Sequence, residues 1–514
     1  MASFRSKSDS MSSLNSFLSR FDSVEDGSIF QPLSIRDFYK VFVLAEMYYP
    51  THSEFSQATH TLSNRNSIFL DYLRKAQSNV ISDRIKFIDP KIGVFDLTET
   101  LYTSHSNGRT KVTRMLFRSN PRALLGFIWL HEQGRISVIE ESDERNLEAK
   151  NLDRSAFGLT ASGIKFRIRS KLVKKILVHA SHSKTFMYLT GKGFLRPHYN
   201  NIVRFVLRIF QMEILEKEEN FVPLFYNQIF MNDYTDWNQS TLSRIKTLVN
   251  TTEVKLYMTL HDDIIHRYPY FFSDKRKSEF LSVLDLARVA TNIFVPSQSE
   301  YENVKNHFTD SSKIVVVPWT GDHILQFGFH KIYSVSRERA AFLHFLGSDP
   351  RKNSLRIFQA MLMIAKKGSV FTVNIVGSMS DSALVPSSVM SDLELQGIEL
   401  NFHENITEEQ LAKLYSVSDC LIYCSLAEGF GLPIAEAAEM GCSVITSNFG
   451  SMLEVGNKYA QVTFANPTDV HSIEEAMINF LAGASVPPPI TLSDRRTWEE
   501  VFSDILAAMG KKVR

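Results

Sequence analysis

The sequence predicts an α/β fold built from two doubly wound parallel-sheet units. Three observations lead there. Short apolar runs that suit buried strands recur along the chain, among them "KIGVFDLTE", "VKLYMTLHDD" and "AFLHFLGS". Each precedes or follows a stretch of helical periodicity, and alternating β and α elements argue for a parallel sheet. At 514 residues the chain is also too long for one hydrophobic core.

Taken in order, residues 1–28 are serine-rich, poor in periodic apolar positions, and predict a disordered tail. Residues 29–90 predict a mostly helical N-terminal extension, with helices around Ile35–Met47 and Ser67–Ser78; "KVFVLAEMYYP" suits an opening strand equally well. Residues 91–315 predict the first α/β domain. Its strands are "KIGVFDLTE", "GFIWL", "VKLYMTLHDD", "NIFVPS" and "KIVVVPW", with "RTKVTRMLFRS" as a helix. Residues 316–484 predict the second domain: strand "AFLHFLGS", helix "NSLRIFQAMLMIAKKG" and strand "VFTVNIVGS". There follow helix "TEEQLAKLYSVS" with Thr407 as N-cap, strand "DCLIYCS", helix "PIAEAAEMG" closed by Gly441, and strand "CSVITSN". In residues 485–514, "SVPPPITLSD" is a stiff linker, and "TWEE" opens a last helix with a capping box from Thr497 to Glu500.

Composition narrows the function classes. The chain is 44% hydrophobic and 22% charged, ordinary for a soluble globular protein. No apolar run reaches about 18 residues, so no spanning helix is expected, and the N-terminus lacks the apolar core of a signal peptide. Only three cysteines occur, Cys420, Cys424 and Cys442, which fits a reducing, cytoplasmic setting and small core residues beside strands. No Asp-x-Asp metal motif occurs, and no Gly-x-Gly-x-x-Gly follows a strand, which argues against a dehydrogenase.

The most informative stretch is "LAEGFGLPIAEAAEMG", Leu426 to Gly441. Pro433 suits the first turn of a helix, where its missing N–H costs nothing, so Glu428 falls in the preceding turn and Glu436 inside the helix. Gly429 and Gly431 let the backbone fold tightly and a ligand approach. Free amides at Gly431 and Leu432 point toward an anion at the helix start, and a diphosphate is the natural candidate. Carboxylates would repel phosphate; they serve better as acceptors for hydroxyls. A nucleotide sugar carries hydroxyls on both sides of its diphosphate, which puts Glu428 on the sugar and Glu436 on the ribose. The competing reading is structural, since a glutamate in a first helical turn is favourable on dipole grounds alone.

"EGFGLPIAEAAEMGCSVITSNFGSMLEV" resembles the Glu-x7-Glu signature of glycosyltransferase family 4, retaining enzymes of the GT-B fold. "FLGSDPRKNSLRIFQAM" is similar to that family's phosphate-binding strand and helix, and "ENITEEQLAKLYSVSDCLIYCS" to its base-contacting loop and next strand. The likeness runs from about Asn292 to Gly483. It is thinner from Lys91 to Val289, where "FDLTETLYTSHSNGRTKVTR" and "KLYMTLHDDIIHRYPYFF" resemble motifs of polysaccharide mannosyl- and rhamnosyltransferases. The resemblance implies two Rossmann-like domains facing a cleft, plus the N-terminal extension. It implies transfer of a hexose or deoxyhexose from a nucleotide sugar to a glycan or lipid-linked acceptor, with retained configuration and no cofactor or metal. Carried onto this chain, it makes His261, Lys352 and Glu428 the candidate catalytic residues. Arg351, Ile406, Gly429, Phe430, Gly431, Leu432, Glu436 and Glu454 become donor-binding residues, Ile406 beside the base and Glu454 behind the diphosphate. Lys352 also suits a solvated helix end, and His261 a capping histidine. Three positions depart from the family pattern: Ser348 where an arginine is frequent, "HDDII" for "HDLIP", and Arg109 for isoleucine. Those departures would suit a second reading, a non-catalytic module of the same fold that binds glycan or a partner glycosyltransferase.

From Arg154 to Met212 there is no Asp or Glu but twelve Lys or Arg, in a chain of formal net charge +1. "GIKFRIRSKLVKKILVHAS" places Ile164, Ile168, Leu172, Ile176 and Leu177 on one helical face with basic residues around the rest. Residues 164–212 therefore suit peripheral contact with an anionic membrane more than nucleic acid, an expectation that salt-sensitive flotation with anionic liposomes would check.

Overall fold

The computed structural model describes residues 17–18, 34–62, 66–81, 88, 93–98, 108–119, 124–130, 135–138, 222–225, 227–233, 239–329, 339–347, 349–378, 385–483 and 495–510. Most of the expected tail, the whole of the basic run and the Pro-rich linker lie outside them. The chain divides into two compact units. One comprises Met1–Lys91, Leu97–Ser104 and Leu125–Phe225; the other comprises Ile92–Asp96, His105–Leu124 and Tyr226–Arg514.

The first unit opens with three helices, α1 (Ile35–Glu46), α2 (His52–Leu62) and α3 (Asn66–Ile81). "KVFVLAE" therefore lies in a helix, not a strand. The side chains give the reason: Phe38 and Phe42, four apart and so on one helical face, meet Phe55 at 5.6 Å and Tyr72 at 5.3 Å respectively. Ser34 caps α1 by accepting the Asp37 amide at 3.1 Å, and Asn79 of α3 donates to the Leu44 and Ala45 carbonyls at the other end of α1. Helix α2 was not expected from the sequence, whose "HSEFSQATHTL" has little apolar periodicity. In chain order β1 (Gly93–Asp96) and α4 (Gly108–Ser119) follow, both in the second unit. Next come β2 (Leu124–Leu130) and β3 (Arg135–Val138), which pair antiparallel with Phe127 opposite Val138.

In the second unit, β1, β4 (Gln228–Met231), β5 (Lys255–Thr259), β6 (Asn292–Val295) and β7 (Ile314–Val316) pair successively, every pair parallel. β1 is buried along its whole length, as strands of a parallel sheet covered on both faces are. The connections contain α5 (Gln239–Thr251), α6 (Ile264–Arg267), α7 (Asp274–Ala287) and α8 (Gln298–Val304).

The second sheet contains β8 (Ala340–Phe345), β9 (Phe371–Val376), β10 (Glu399–His403), β11 (Cys420–Tyr423), β12 (Ser443–Ser447) and β13 (Val462–Ala465). Their order is β10-β9-β8-β11-β12-β13, all parallel. Between them run α9 (Ser354–Lys366), α10 (Ser387–Leu395), α11 (Glu408–Val417), α12 (Leu432–Glu439), α13 (Gly450–Gly456) and α14 (Val470–Leu481). Phe342, Phe358, Phe371, Ile375, Ile422 and Met477 form the centre of its core. Cys420 and Cys424 belong to that core, Cys442 is buried as well, none of the three is in a disulfide, and burial pushes the Cys424 thiol up to about 12. The expected capping box of Thr497 with Glu500 forms, and Thr407, expected as an N-cap, makes a capping box with Gln410 as well. The last helix, α15 (Trp498–Ala508), returns to the first sheet, where Phe502 lies 6.1 Å from Phe95 of β1. Among the described residues no helix is long and apolar enough to cross a membrane.

Candidate functional site

In chain order the strands of the second sheet run third, second, first, fourth, fifth, sixth across the sheet, so chain direction across it reverses between β8 and β11. Ligands of open α/β sheets bind outside the carboxyl ends of the strands at such a reversal. The two loops that leave those ends carry the "DPRKN" and "LAEGFGL" residues.

After β8, Asp349 to Lys352 form a tight turn. Asp349 Oδ1 accepts the Arg351 amide at 3.0 Å, and Asn353 takes a left-handed backbone (φ 60°) that leads into α9. Asn353 Nδ2 donates to the carbonyls of Cys424 (3.0 Å) and Pro467 (2.7 Å). From the other loop, the Leu426 amide donates to the Arg351 carbonyl at 2.7 Å, and Arg351 Nη1 donates to the Ala427 carbonyl at 3.0 Å. The two loops are thus stitched together before any side-chain charge is counted.

Glu428 sits where they meet. Arg351 Nη1 lies 2.7 Å from its Oε2; Lys352 Nζ and the Tyr423 hydroxyl donate to its Oε1 at 2.8 and 2.7 Å. Burial alone would raise its pKa, but Arg351 and Lys352 outweigh that and bring the carboxyl down to about 2. Burial lowers the Lys352 pKa, against the pull of Glu428, while Glu428 and Asp349 outweigh burial at Arg351 and keep its guanidinium above its ordinary value. Two carboxylates, Asp349 and Glu428, face two cations, so the cluster is neutral as it stands. An arriving anion would find cations already in place.

Two glycines shape the turn that follows. A Cβ on Gly429 would collide with the His261 carbonyl oxygen, so only glycine allows this approach; Ser297 Oγ donates to the Gly429 carbonyl at 2.9 Å. Gly431, at φ 90°, is the N-cap of α12, a conformation that side chains resist. Its neighbours Phe430 and Leu432 are buried, Phe430 with its ring 5.6 Å from Trp319.

His261 lies just beyond β5 and is buried. Its Nε2 donates to the Asn232 carbonyl, and burial together with the Arg109 charge pushes its pKa down to about 3. The imidazole is therefore neutral near pH 7, with its lone pair on Nδ1.

Glu436, on α12, is 2% exposed and enclosed by groups the sequence did not single out. Lys111 of α4 pairs with Oε1, His323 Nε2 donates to the same oxygen at 3.0 Å, and the Tyr415 hydroxyl donates to Oε2 at 2.8 Å. Trp498 Nε1 in turn donates to His323 Nδ1 at 3.1 Å, which assigns His323 the neutral form with its proton on Nε2. Burial opposes the charge of Glu436, but Lys111 and the His323 hydrogen bond bring its pKa down to about 2.

The structure therefore brings Arg351, Lys352, Glu428, Gly429, Phe430, Gly431 and Leu432 together, with His261 against them through Gly429. Three expected residues have other surroundings, the first being Glu436 in its enclosure of Lys111, His323 and Tyr415. Glu454, on α13, accepts the backbone amides of Gln298 (2.9 Å) and Ser299 (2.8 Å) at the start of α8. Ile406 is half-buried in the loop between β10 and α11. Ser348 lies outside the described residues. Tyr423, Lys111, Tyr415 and His323 escaped the sequence reading. Tyr423 is the second residue before Ser425 in an apolar run and reads as core; no local pattern marks the other three.

Residues 334–488 match the model of a family described as glycosyl transferases group 1. The O-antigen chain mannosyltransferase RfbU of Salmonella typhimurium is 28% identical over 222 residues, 43% of this chain and 60% of the relative. The serotype-specific mannosyltransferase WbdA of Escherichia coli is 30% identical over 112 residues, 22% of this chain and 14% of the relative. The chain thus spans less than two thirds of the length of either of these curated relatives. Among solved structures, sucrose-phosphate synthase from Thermosynechococcus elongatus superposes with a TM-score of 0.50 at 16% identity, over 82% of this chain and 95% of that one. Anabaena HepE in complex with UDP and glucose gives a TM-score of 0.50 at 14% identity, over 82% and 100%. At such identities these two likenesses bear on fold. With the two parallel sheets and the family match, they establish a GT-B α/β fold.

Proposed function

We propose that the chain is a retaining glycosyltransferase. It moves a hexose or deoxyhexose from a nucleotide-diphosphate sugar to a glycan or lipid-linked acceptor, in polysaccharide or glycoconjugate synthesis. One observation carries the reading: Glu428, held by Arg351, Lys352 and Tyr423, lies at the strand reversal beside the glycine start of α12. The match of residues 334–488 to group 1 glycosyl transferases supports it, as do the O-antigen mannosyltransferase relatives. HepE, a neighbour in fold, is seen with UDP and glucose.

In this reading the acceptor hydroxyl oxygen bonds to the anomeric carbon as the bond from that carbon to the diphosphate oxygen breaks. The hydroxyl proton passes to the departing diphosphate on the same face. No protein nucleophile and no metal take part. Negative charge grows on the leaving group, and Lys352, Arg351 and the amides of Gly431 and Leu432 are placed to receive it. As phosphate draws the Lys352 ammonium, Glu428 is left to accept sugar hydroxyls. His261, neutral near pH 7, faces the sugar as a hydrogen-bonding group and not as a charge. Replacing His261 with alanine is expected to lower the transfer rate more than nucleotide affinity; an unchanged rate returns the residue to a packing role. The basic run beyond the described residues would bring the enzyme to the cytoplasmic leaflet, where lipid-linked acceptors are presented.

A melting screen with UDP-, GDP- and dTDP-sugars tests the whole reading. A donor at about 100 times its Kd stabilises the native chain by about 2.7 kcal/mol, so one nucleotide class should raise Tm clearly over the others. If no nucleotide shifts Tm and no donor releases its nucleoside diphosphate, the proposal fails.

A further inference from the structure

A second cluster of ligating side chains lies outside the residues assigned to the donor. Asp263 and His266, three apart at the start of α6, face His307 from the turn after α8. Asp263 Oδ1 is 3.1 Å from His307 Nε2, Asp263 Oδ2 is 3.3 Å from His266 Nδ1, and the two imidazole rings meet at 4.5 Å. One donor atom from each residue falls within 4.8 Å of the others.

Hydrogen bonding satisfies only half of this group. His307 provides for Oδ1, but Oδ2 of Asp263 accepts no hydrogen bond, although the side chain is 1% exposed. A buried carboxylate oxygen without a donor is costly. The nearby Arg267 does not relieve it, because its guanidinium is directed to Glu300 at 3.4 Å. A cation among the three side chains would supply what the orphaned oxygen lacks.

The spacing also suits one. Tetrahedral zinc with bonds of about 2.0–2.1 Å places neighbouring ligand atoms about 3.3 Å apart; one donor atom from each residue already lies within 4.8 Å of the others, and rotation of the exposed His266 ring would close the set. Two imidazoles and one carboxylate select a first-row transition ion over magnesium or calcium, which take oxygen ligands. His266 is exposed enough, at 58%, to leave a fourth position open to water.

We propose that Asp263, His266 and His307 form a binding site for a divalent transition-metal ion of the zinc class. Bound there, the ion ties the segment after β5, which carries His261, to the turn that follows α8. The site is separate from the leaving-group chemistry: its ligands are not donor-binding residues, and its presence does not depend on the sugar-transfer reading.

The test uses the full chain, stripped with a chelator, dialysed and titrated with Zn2+ in the absence of any nucleotide. Bound metal and melting temperature are the readouts. Wild type is expected to take up zinc with a rise in Tm. Because loss even of a ligand's outer partner weakens metal binding about 10–100-fold, His266→Ala and His307→Ala should each weaken it at least that much and cancel the rise. Asp263→Asn keeps the side chain's size but removes the anionic ligand, and should behave the same way. His266 is exposed, so its variant keeps the test valid if the buried Asp263 variant fails to fold. Wild type without zinc, or His266→Ala and His307→Ala that bind it as wild type does, overturns the proposal.

Discussion

Replacing Lys352 with alanine is expected to reduce kcat by about 10²–10³-fold, the usual cost of deleting one preorganised donor to developing negative charge. The surroundings make this a clean deletion. Lys352 Nζ contacts Glu428 at 2.8 Å and the Tyr423 hydroxyl at 2.7 Å, but Glu428 keeps Arg351 at 2.7 Å and Tyr423 at 2.7 Å when the lysine is gone. No buried carboxylate is left unpaired, so the variant should melt near wild type. Turnover with saturating donor, measured beside Tm, separates the two effects. A variant that turns over at the wild-type rate removes Lys352 from the leaving-group role and restores the reading of a solvated helix-end lysine.

Glu436→Ala should act differently, and more on stability. The residue is enclosed by Lys111, His323 and Tyr415, and its removal strands a lysine ammonium that is only 9% exposed. Breaking a buried ion pair from one side costs about 3–5 kcal/mol. The urea midpoint should fall accordingly, whereas the sequence alone suggested a loss of donor use with the fold intact. Glu436→Gln retains an acceptor oxygen for Tyr415 and should lose less. The sign of the pH effect follows from the depressed pKa. With the folded carboxyl at about 2 against an ordinary 4.5, the stabilisation is complete above 4.5 and is lost as pH falls from there toward 2. Acid unfolding of Glu436→Gln should therefore be shallower than that of wild type. An alanine variant with the wild-type urea midpoint would show that the network contributes little.

The contrast between Lys352 and Glu436 marks how far the sequence could be read. Lys352 and Glu428 belong to short motifs at strand ends, and such motifs announce themselves: Pro, Gly and charge at set offsets between two apolar runs. Glu436 was legible as a carboxylate on a helix, but not its setting. Its partner Lys111 is 325 positions away, in a helix whose sequence gives no sign of what it packs against. Glu454 carries the same lesson. The family resemblance implies a place behind the diphosphate, and the structure adds what the sequence does not show, that its oxygens accept two amides at the start of α8.

By itself, then, the sequence determined what is local and periodic. It marked the alternation of apolar strands with amphipathic helices, the N-cap at Thr407, the capping box at Thr497, and the glycine turn before α12 with Glu428 in it. These follow from forces acting over a few residues, namely side-chain periodicity, caps and backbone sterics. It left "KVFVLAE" undecided between helix and strand, and did not single out α2, β3, β4, β10 or β13, because short segments of mixed polarity take their state from what covers them. Tertiary structure alone decided that Phe38 and Phe42 would pack as a helical face, and that α15 would return to β1. It also set His266 and His307 around the buried carboxylate of Asp263. Those outcomes depend on which surfaces meet, and contacts between distant segments leave no periodic trace along the chain.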